Sequence, residues 1–111
     1  MSTPSAYILL ADLAREVETP MDGTLSRTIF QNERLKAVLF SFSAGQELSE
    51  HTASMPAIMH FLAGESDVTL GSEKVTASAG SWIHMAAQLP HSILAKTPVK
   101  MLLLLLKDAT P

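Results

Sequence analysis

The stretch DVTLGSEKVTA, residues 67–77, decides the fold class. Asp67–Leu70 and Lys74–Ala77 read as short strands, and Gly71-Ser72 between them reads as a tight hairpin turn, which needs a residue tolerant of positive φ. The two strands are therefore expected to pair directly. Working outward, the same pattern repeats: short apolar runs are broken by Gly, Pro, Ser or Asn at close intervals, and the helical period of three and four is scarce. Further strands are predicted over Ser26–Gln31, Leu35–Ser43, Ala57–Ala63, Ser81–Met85, Ser92–Ala95 and Val99–Lys107, with one short helix over Asp12–Glu18. Eight short strands in 111 residues must dispose of their exposed edges, and a closed barrel or a double-sheet jelly roll does so economically. The jelly roll is the expected architecture, as one all-β domain spanning residues 1–111, with Met1–Ser5 and Asp108–Pro111 as loose ends.

Composition narrows the functional classes. Hydrophobic residues make up 47 % and charged residues 17 %, enough apolar material to form an ordered core. Lys plus Arg number 8 against 11 for Asp plus Glu, a net charge of −3, and no basic stripe is present to attract a phosphate backbone. Nucleic acid is excluded as an expected partner. The absence of cysteine removes disulfides, thiolate metal sites and a cysteine nucleophile together, so a metal ion would have to use His, Asp, Glu or water. Tyr7–Ala11 is too short for the core of a secretion signal, and Met101–Leu106 falls far below the roughly twenty residues that cross a bilayer. A cytoplasmic, non-membrane protein is expected. There is no G-x-S-x-G elbow, phosphate-cradling glycine loop, H-E-x-x-H pair or dinucleotide fingerprint.

Strand parity bears on assembly. In Leu35–Phe42, Leu35, Ala37 and Leu39 lie on one side and Val38, Phe40 and Phe42 on the other, so both faces want to be dry. Ala57–Ala63 and Met101–Leu106 behave alike. One small domain has one interior, which predicts a homodimer laid against the outside of one sheet; the alternative is cover by the chain's own Tyr7–Leu13 segment.

Two frames carry the chemistry. The run GQELSEHTASMPAIMHFLAG, residues 45–64, resembles the first motif of the cupin superfamily, G-x5-H-x-H-x3-E-x6-G. Gly45, His51 and Gly64 match in register, while Ala53 and Ala57 stand where the motif has its second His and its Glu. The run GSWIHMAAQLPHSILA, residues 80–95, resembles the second motif, G-x5-P-x-G-x2-H-x3-N, with Gly80 and His91 matched and Ala86, Gln88 and Ala95 substituted. Together the frames span about half the chain. The resemblance implies an RmlC-like jelly-roll β-barrel, in agreement with the strand reading, and a divalent ion (Zn, Fe, Mn or Ni) held inside it. Of the implied ligands only His51 and His91 carry over, so any such site should be weak, completed by water, a ligand carboxylate or a side chain such as Gln46, Glu47 or Gln88.

With His51 inward and the strand unbroken, the expected small-molecule pocket is lined by His51, Ala53, Ala57, Met59, Phe61, Ile83, Met85 and His91. Apolar walls with two imidazoles suit a small molecule bearing an acidic or phenolic group. His60, Trp82 and His84 turn outward, the two histidines as hydrogen-bonded interface imidazoles, and Arg27 and Arg34 read as exposed or interface charges. The expected function is a small-molecule-binding cupin with a weak divalent-metal site between His51 and His91. The alternatives are a metal-dependent enzyme of oxygenase or isomerase type, or a non-catalytic interaction barrel; fold alone does not choose among them.

Overall fold

The computed structural model describes residues 6–107; the predicted loose ends at 1–5 and 108–111 lie outside the described residues. Nine strands follow one another: β1 Thr24–Gln31, β2 Leu35–Phe42, β3 Glu47–His51, β4 Ala57–Ala63, β5 Glu65–Leu70, β6 Glu73–Ser78, β7 Trp82–Met85, β8 His91–Ala95 and β9 Val99–Leu106. They form two antiparallel sheets, ordered β1-β2-β9-β4-β7 and β3-β8-β5-β6. The predicted hairpin is present, Leu70 opposite Glu73, with Gly71 at φ 62 and Ser72 on the ordinary negative side, the pattern of a II′ turn. All eight predicted strands are found, with boundaries moved by one or two residues in most of them.

β3 is a ninth strand, beyond the eight predicted. Its sequence, Glu47-Leu48-Ser49-Glu50-His51, offers one half-buried apolar residue and four exposed polar ones, so it carries no apolar run to recognise. It is the edge strand of the smaller sheet and is held by β8 alone, with a register break between Leu48 and His51. The extended strand is also interrupted between His51 and Ala57, which lie in opposite sheets, so parity does not run through from one to the other. The predicted helix over 12–18 shrinks to a single 3-10 turn, Leu13–Glu16, without a side-chain cap from Asp12.

Between the sheets lies a core that includes Phe42, Met59, Phe61, Val68, Met85, Ile93 and Met101, each no more than 2 % exposed. The chain passes from one sheet to the other at Gly64 and returns at Pro98, and these two crossings are stacked. A Cβ built on Gly64 would stand 2.0 Å from the Pro98 carbonyl oxygen, so only glycine lets the crossings touch. Main-chain bonds lock them there: Lys96 N–H donates to the Glu65 carbonyl at 2.9 Å, and Glu65 N–H to Thr97 Oγ1 at 2.9 Å.

The outer face of the five-stranded sheet is dry over part of its width. Leu39 and Ser41 are fully buried there and Ala37 nearly so. The side chains of Arg27 on β1 and Lys100 on β9 emerge from this face and donate to the carbonyls of Glu16 and Ala14, which holds residues 14–16 across the sheet between β1 and β9. Cover from within the chain thus applies to part of this face, but through Ala14 and Glu16, whereas most of the Tyr7–Leu13 segment named above is exposed. The Arg27–Glu16 ion pair, 3.2 Å apart with the arginine 59 % exposed, adds little energy of its own.

Candidate functional site

His51 ends β3 and His91 opens β8, and the two are paired across the ladder. Their ring centroids are 4.2 Å apart with the planes inclined at 59°. His91 is buried, 5 % exposed, whereas His51 is exposed, so the pair sits at the rim of the barrel and not deep inside it. Each ring is held in the same way. His51 Nδ1 lies 2.9 Å from the Ser49 carbonyl oxygen, and His91 Nδ1 lies 2.9 Å from that of Leu89. A carbonyl oxygen can only accept, so both Nδ1 atoms carry the proton. In the neutral rings the lone pair is then on Nε2 in both residues.

The loops at this end fix the pair from outside. Gln88 N–H donates to the Ala53 carbonyl at 2.8 Å, tying the loop after β3 to the loop before β8, and Gly71 N–H donates to the Pro90 carbonyl at 2.8 Å. Gln88 occupies the motif position that usually holds glycine and has φ 70, the left-handed region, a conformation that costs an L-residue roughly 1–2 kcal/mol. The substitution keeps the turn and strains it.

The other residues named from sequence are distributed as follows. Ala57, Met59, Phe61 and Met85 point inward and belong to the packed core; Ile83 is partly buried against it. Ala53 is half-buried in the loop beyond β3. A cavity of about 420 Å³ lies elsewhere, open to solvent and lined by Ala6, Tyr7, Ile8, Phe30 and Leu35. His60, Trp82 and His84 lie on the outer face, His60 half-buried and the other two exposed. Arg34, exposed in the β1–β2 turn, and Arg27 make no bond to either rim histidine among the described residues. The carbonyls of Ser49 and Leu89, which set the tautomers, carry no side-chain signal that a sequence could display.

The donor set does not complete a metal centre. Among the described residues no group of three or more His, Asp or Glu side chains is placed to hold an ion. Gln46 gives its Nε2–H to Asp22 Oδ1 at 3.3 Å, and Glu47 sits opposite Leu94 at the far end of β3. Two imidazole nitrogens are half of a four-coordinate shell, and the four-ligand site of the resembled motif is absent.

A double-layered antiparallel barrel with a histidine pair at its rim, fed by the two frames 45–64 and 80–95, defines a small jelly-roll barrel protein of the cupin kind. Comparison with solved structures agrees. A conserved protein of unknown function from Streptococcus pyogenes is similar over 97 % of this chain and 93 % of its own, at 32 % identity and TM-score 0.83. A cupin superfamily protein from Desulfitobacterium hafniense matches over 95 % and 94 %, at 28 % identity and TM-score 0.83. An RmlC-like cupin from Shewanella frigidimarina, 17 % identical over 95 % and 94 % with TM-score 0.77, shares the fold. The chain belongs to the cupin superfamily. No protein-family model matches the sequence, and no curated protein matches it either. No helix among the described residues is long and apolar enough to cross a membrane.

Proposed function

We propose that this cupin binds a small molecule bearing an acidic or phenolic group at the barrel rim, with His51 and His91 as its recognition pair. One observation carries the reading. Both Nδ1 atoms are committed to main-chain carbonyls, which leaves two Nε2 atoms free on rings 4.2 Å apart. Neutral, they accept from a phenol or a carboxylic acid; protonated, they donate to a carboxylate. The core beneath is packed, so the seat is shallow and the ligand's remaining surface faces the loops over 52–56 and 86–90. A divalent ion would receive two nitrogen donors here and bind weakly unless the ligand supplied the rest of its shell.

The test is thermal shift and calorimetry with a panel of aromatic acids and phenols, in EDTA and with added Zn²⁺ or Ni²⁺. A ligand present at about 100 times its Kd should stabilise the fold by roughly 2.7 kcal/mol. His51→Ala should remove that stabilisation while changing the unliganded protein by less than about 0.5 kcal/mol, because the ring is exposed. His91→Ala should remove it too and cost roughly 1–3 kcal/mol, since a buried ring and its bond to Leu89 are lost. Ligand stabilisation that survives His51→Ala rejects the reading. Stoichiometric metal retained through dialysis would reject the weak site and favour the metal-dependent enzyme.

A further inference from the structure

Short links between the sheets decide which strands face each other. β2 passes to β3 through residues 43–46 and β8 to β9 through residues 96–98, so β2 lies over β3 and β9 over β8, with the sheets about 10 Å apart. β2 runs toward its link and β3 away from it, which brings the start of β2 and the end of β3 to the same mouth of the barrel. There the inward side of β2 carries a cation. Inward positions run back along β2 from the core residue Phe42 through Phe40 and Val38 to Lys36, and Lys36 is paired with Leu105, which packs on the core. Lys36 is half-buried, and among the described residues its Nζ has no hydrogen-bond or ion-pair partner. Counted from the link, Lys36 is six residues beyond Phe42 and His51 four beyond Glu47. The lysine therefore stands at the lip, about 7 Å above the histidine pair on the facing sheet.

We propose that Lys36 is the carboxylate-binding residue of the rim site, and that the site takes a small hydroxycarboxylate, its carboxylate on Lys36 and its hydroxyl on His51 and His91. This assignment rests on the rim reading above and narrows its acidic-or-phenolic class to molecules that carry both groups. Complementarity of donors and charge supports it. The Nε2 atoms of two neutral imidazoles accept and so match a hydroxyl, whereas an ammonium has three donors and no acceptor and matches an anion. Competing charge is remote from the pair. The loops 52–56 and 86–90 that border the mouth hold no Asp, Glu, Lys or Arg. Glu33 and Arg34 are exposed in the β1–β2 turn, and Lys107 donates from Nζ to the Asn32 carbonyl. Glu50 precedes His51 and takes the other face of the strand. Glu73 ends the row that runs from His51 through His91 and Leu70, three strand spacings or about 14 Å from His51. Reach limits the size of the ligand. A lysine chain from one sheet and imidazoles from the other enter a gap of about 10 Å, which leaves room for a compact acid and not for a long one. Leu70 opposite His91 and Leu105 opposite Lys36 are half-buried and offer apolar contact to its body, as an aromatic ring would use.

The three ring isomers of hydroxybenzoate are the probes, with benzoate and phenol as the separated halves, and NMR titration in EDTA reads their affinities into the millimolar range. At least one isomer should bind about tenfold or more tighter than phenol, and its affinity should fall as NaCl screens the contact with Lys36. Lys36→Met keeps the aliphatic stem and removes the ammonium. It should weaken that isomer by about tenfold or more, remove most of the salt dependence and leave phenol within about twofold of wild type. Lys36→Arg keeps the charge and should restore part of the loss. Both variants should fold, as circular dichroism verifies, because the side chain is half-buried at the lip and bonded to no described residue. His51→Ala should weaken the isomer and phenol alike. Binding of the isomer that is lost in His51→Ala and untouched by Lys36→Met overturns the role of Lys36 and leaves the rim reading standing. Binding that survives His51→Ala overturns both. No binding of any isomer, or phenol bound as tightly as all three, also overturns the hydroxycarboxylate assignment, and the wider panel of acids and phenols then decides the rim reading by itself.

Discussion

Gly64→Ala is expected to cost more than about 4 kcal/mol and to leave little folded protein. Two effects act together. At φ 86 an L-residue is strained by roughly 1–2 kcal/mol before any contact is counted. The added methyl would then stand 2.0 Å from the Pro98 oxygen and 2.9 Å from the Val99 Cα. Both obstacles are main-chain atoms of the opposite crossing, so no side-chain rotation relieves them; the two crossings must separate. Separation pulls on the Glu65 bonds to residues 96 and 97 and on the first residue of β9, which is buried. Domains of this kind are stable by only about 5–15 kcal/mol in total. Urea unfolding of the purified variant, or its partition between soluble and aggregated fractions on expression, measures the outcome. A midpoint within experimental error of wild type would show that the crossings are not in contact.

Phe61→Ala carries the next largest effect, about 3–5 kcal/mol, with a Tm lowered by some 4–8 °C for each kcal/mol. Phe61 is fully buried at the centre of the core, among Met59, Met85, Ile93 and Met101. Its main chain is anchored independently, N–H to the Ser81 carbonyl at 2.9 Å and carbonyl to Gly80 N–H at 2.8 Å, so truncation should empty a volume without unlatching the strand. The size of the loss bears on function. A residue lining a solvated ligand pocket loses fewer packing contacts on truncation than one in a filled core. A cost below about 2 kcal/mol would favour the barrel interior, walled by Ala57, Met59, Phe61 and Met85, over the rim as the place of the proposed ligand.

These two residues mark where sequence reading was strong and where it was not. Phe61 and its neighbours on β4 alternate in the chain as they do in the fold, because a strand's side chains change faces at every residue, and the inward set was legible. Gly64 was legible as a motif position, yet nothing in the chain says that Pro98 lies against it. His51 and His91 were placed together by the same motif frames. Their juxtaposition holds at 4.2 Å, but the rim position of His51 was hidden by the polar strand β3, which offers no periodic apolar signal. The dry outer face of β2 was foreseen and a partner subunit was expected to cover it; in the structure Ala14 and Glu16 of the chain itself are bonded across part of that face.

The amino-acid order alone determined the class of fold, the position of most strands and the two imidazoles available for chemistry, since turn residues and side-chain alternation are local and the missing ligands are plain substitutions. Tertiary structure alone decided that those imidazoles share a tautomer set by the carbonyls of Ser49 and Leu89, and that they stand at the lip of a filled barrel. Those features arise from contacts between residues distant along the chain and from main-chain atoms that are chemically alike at every position, which no residue-by-residue pattern can encode.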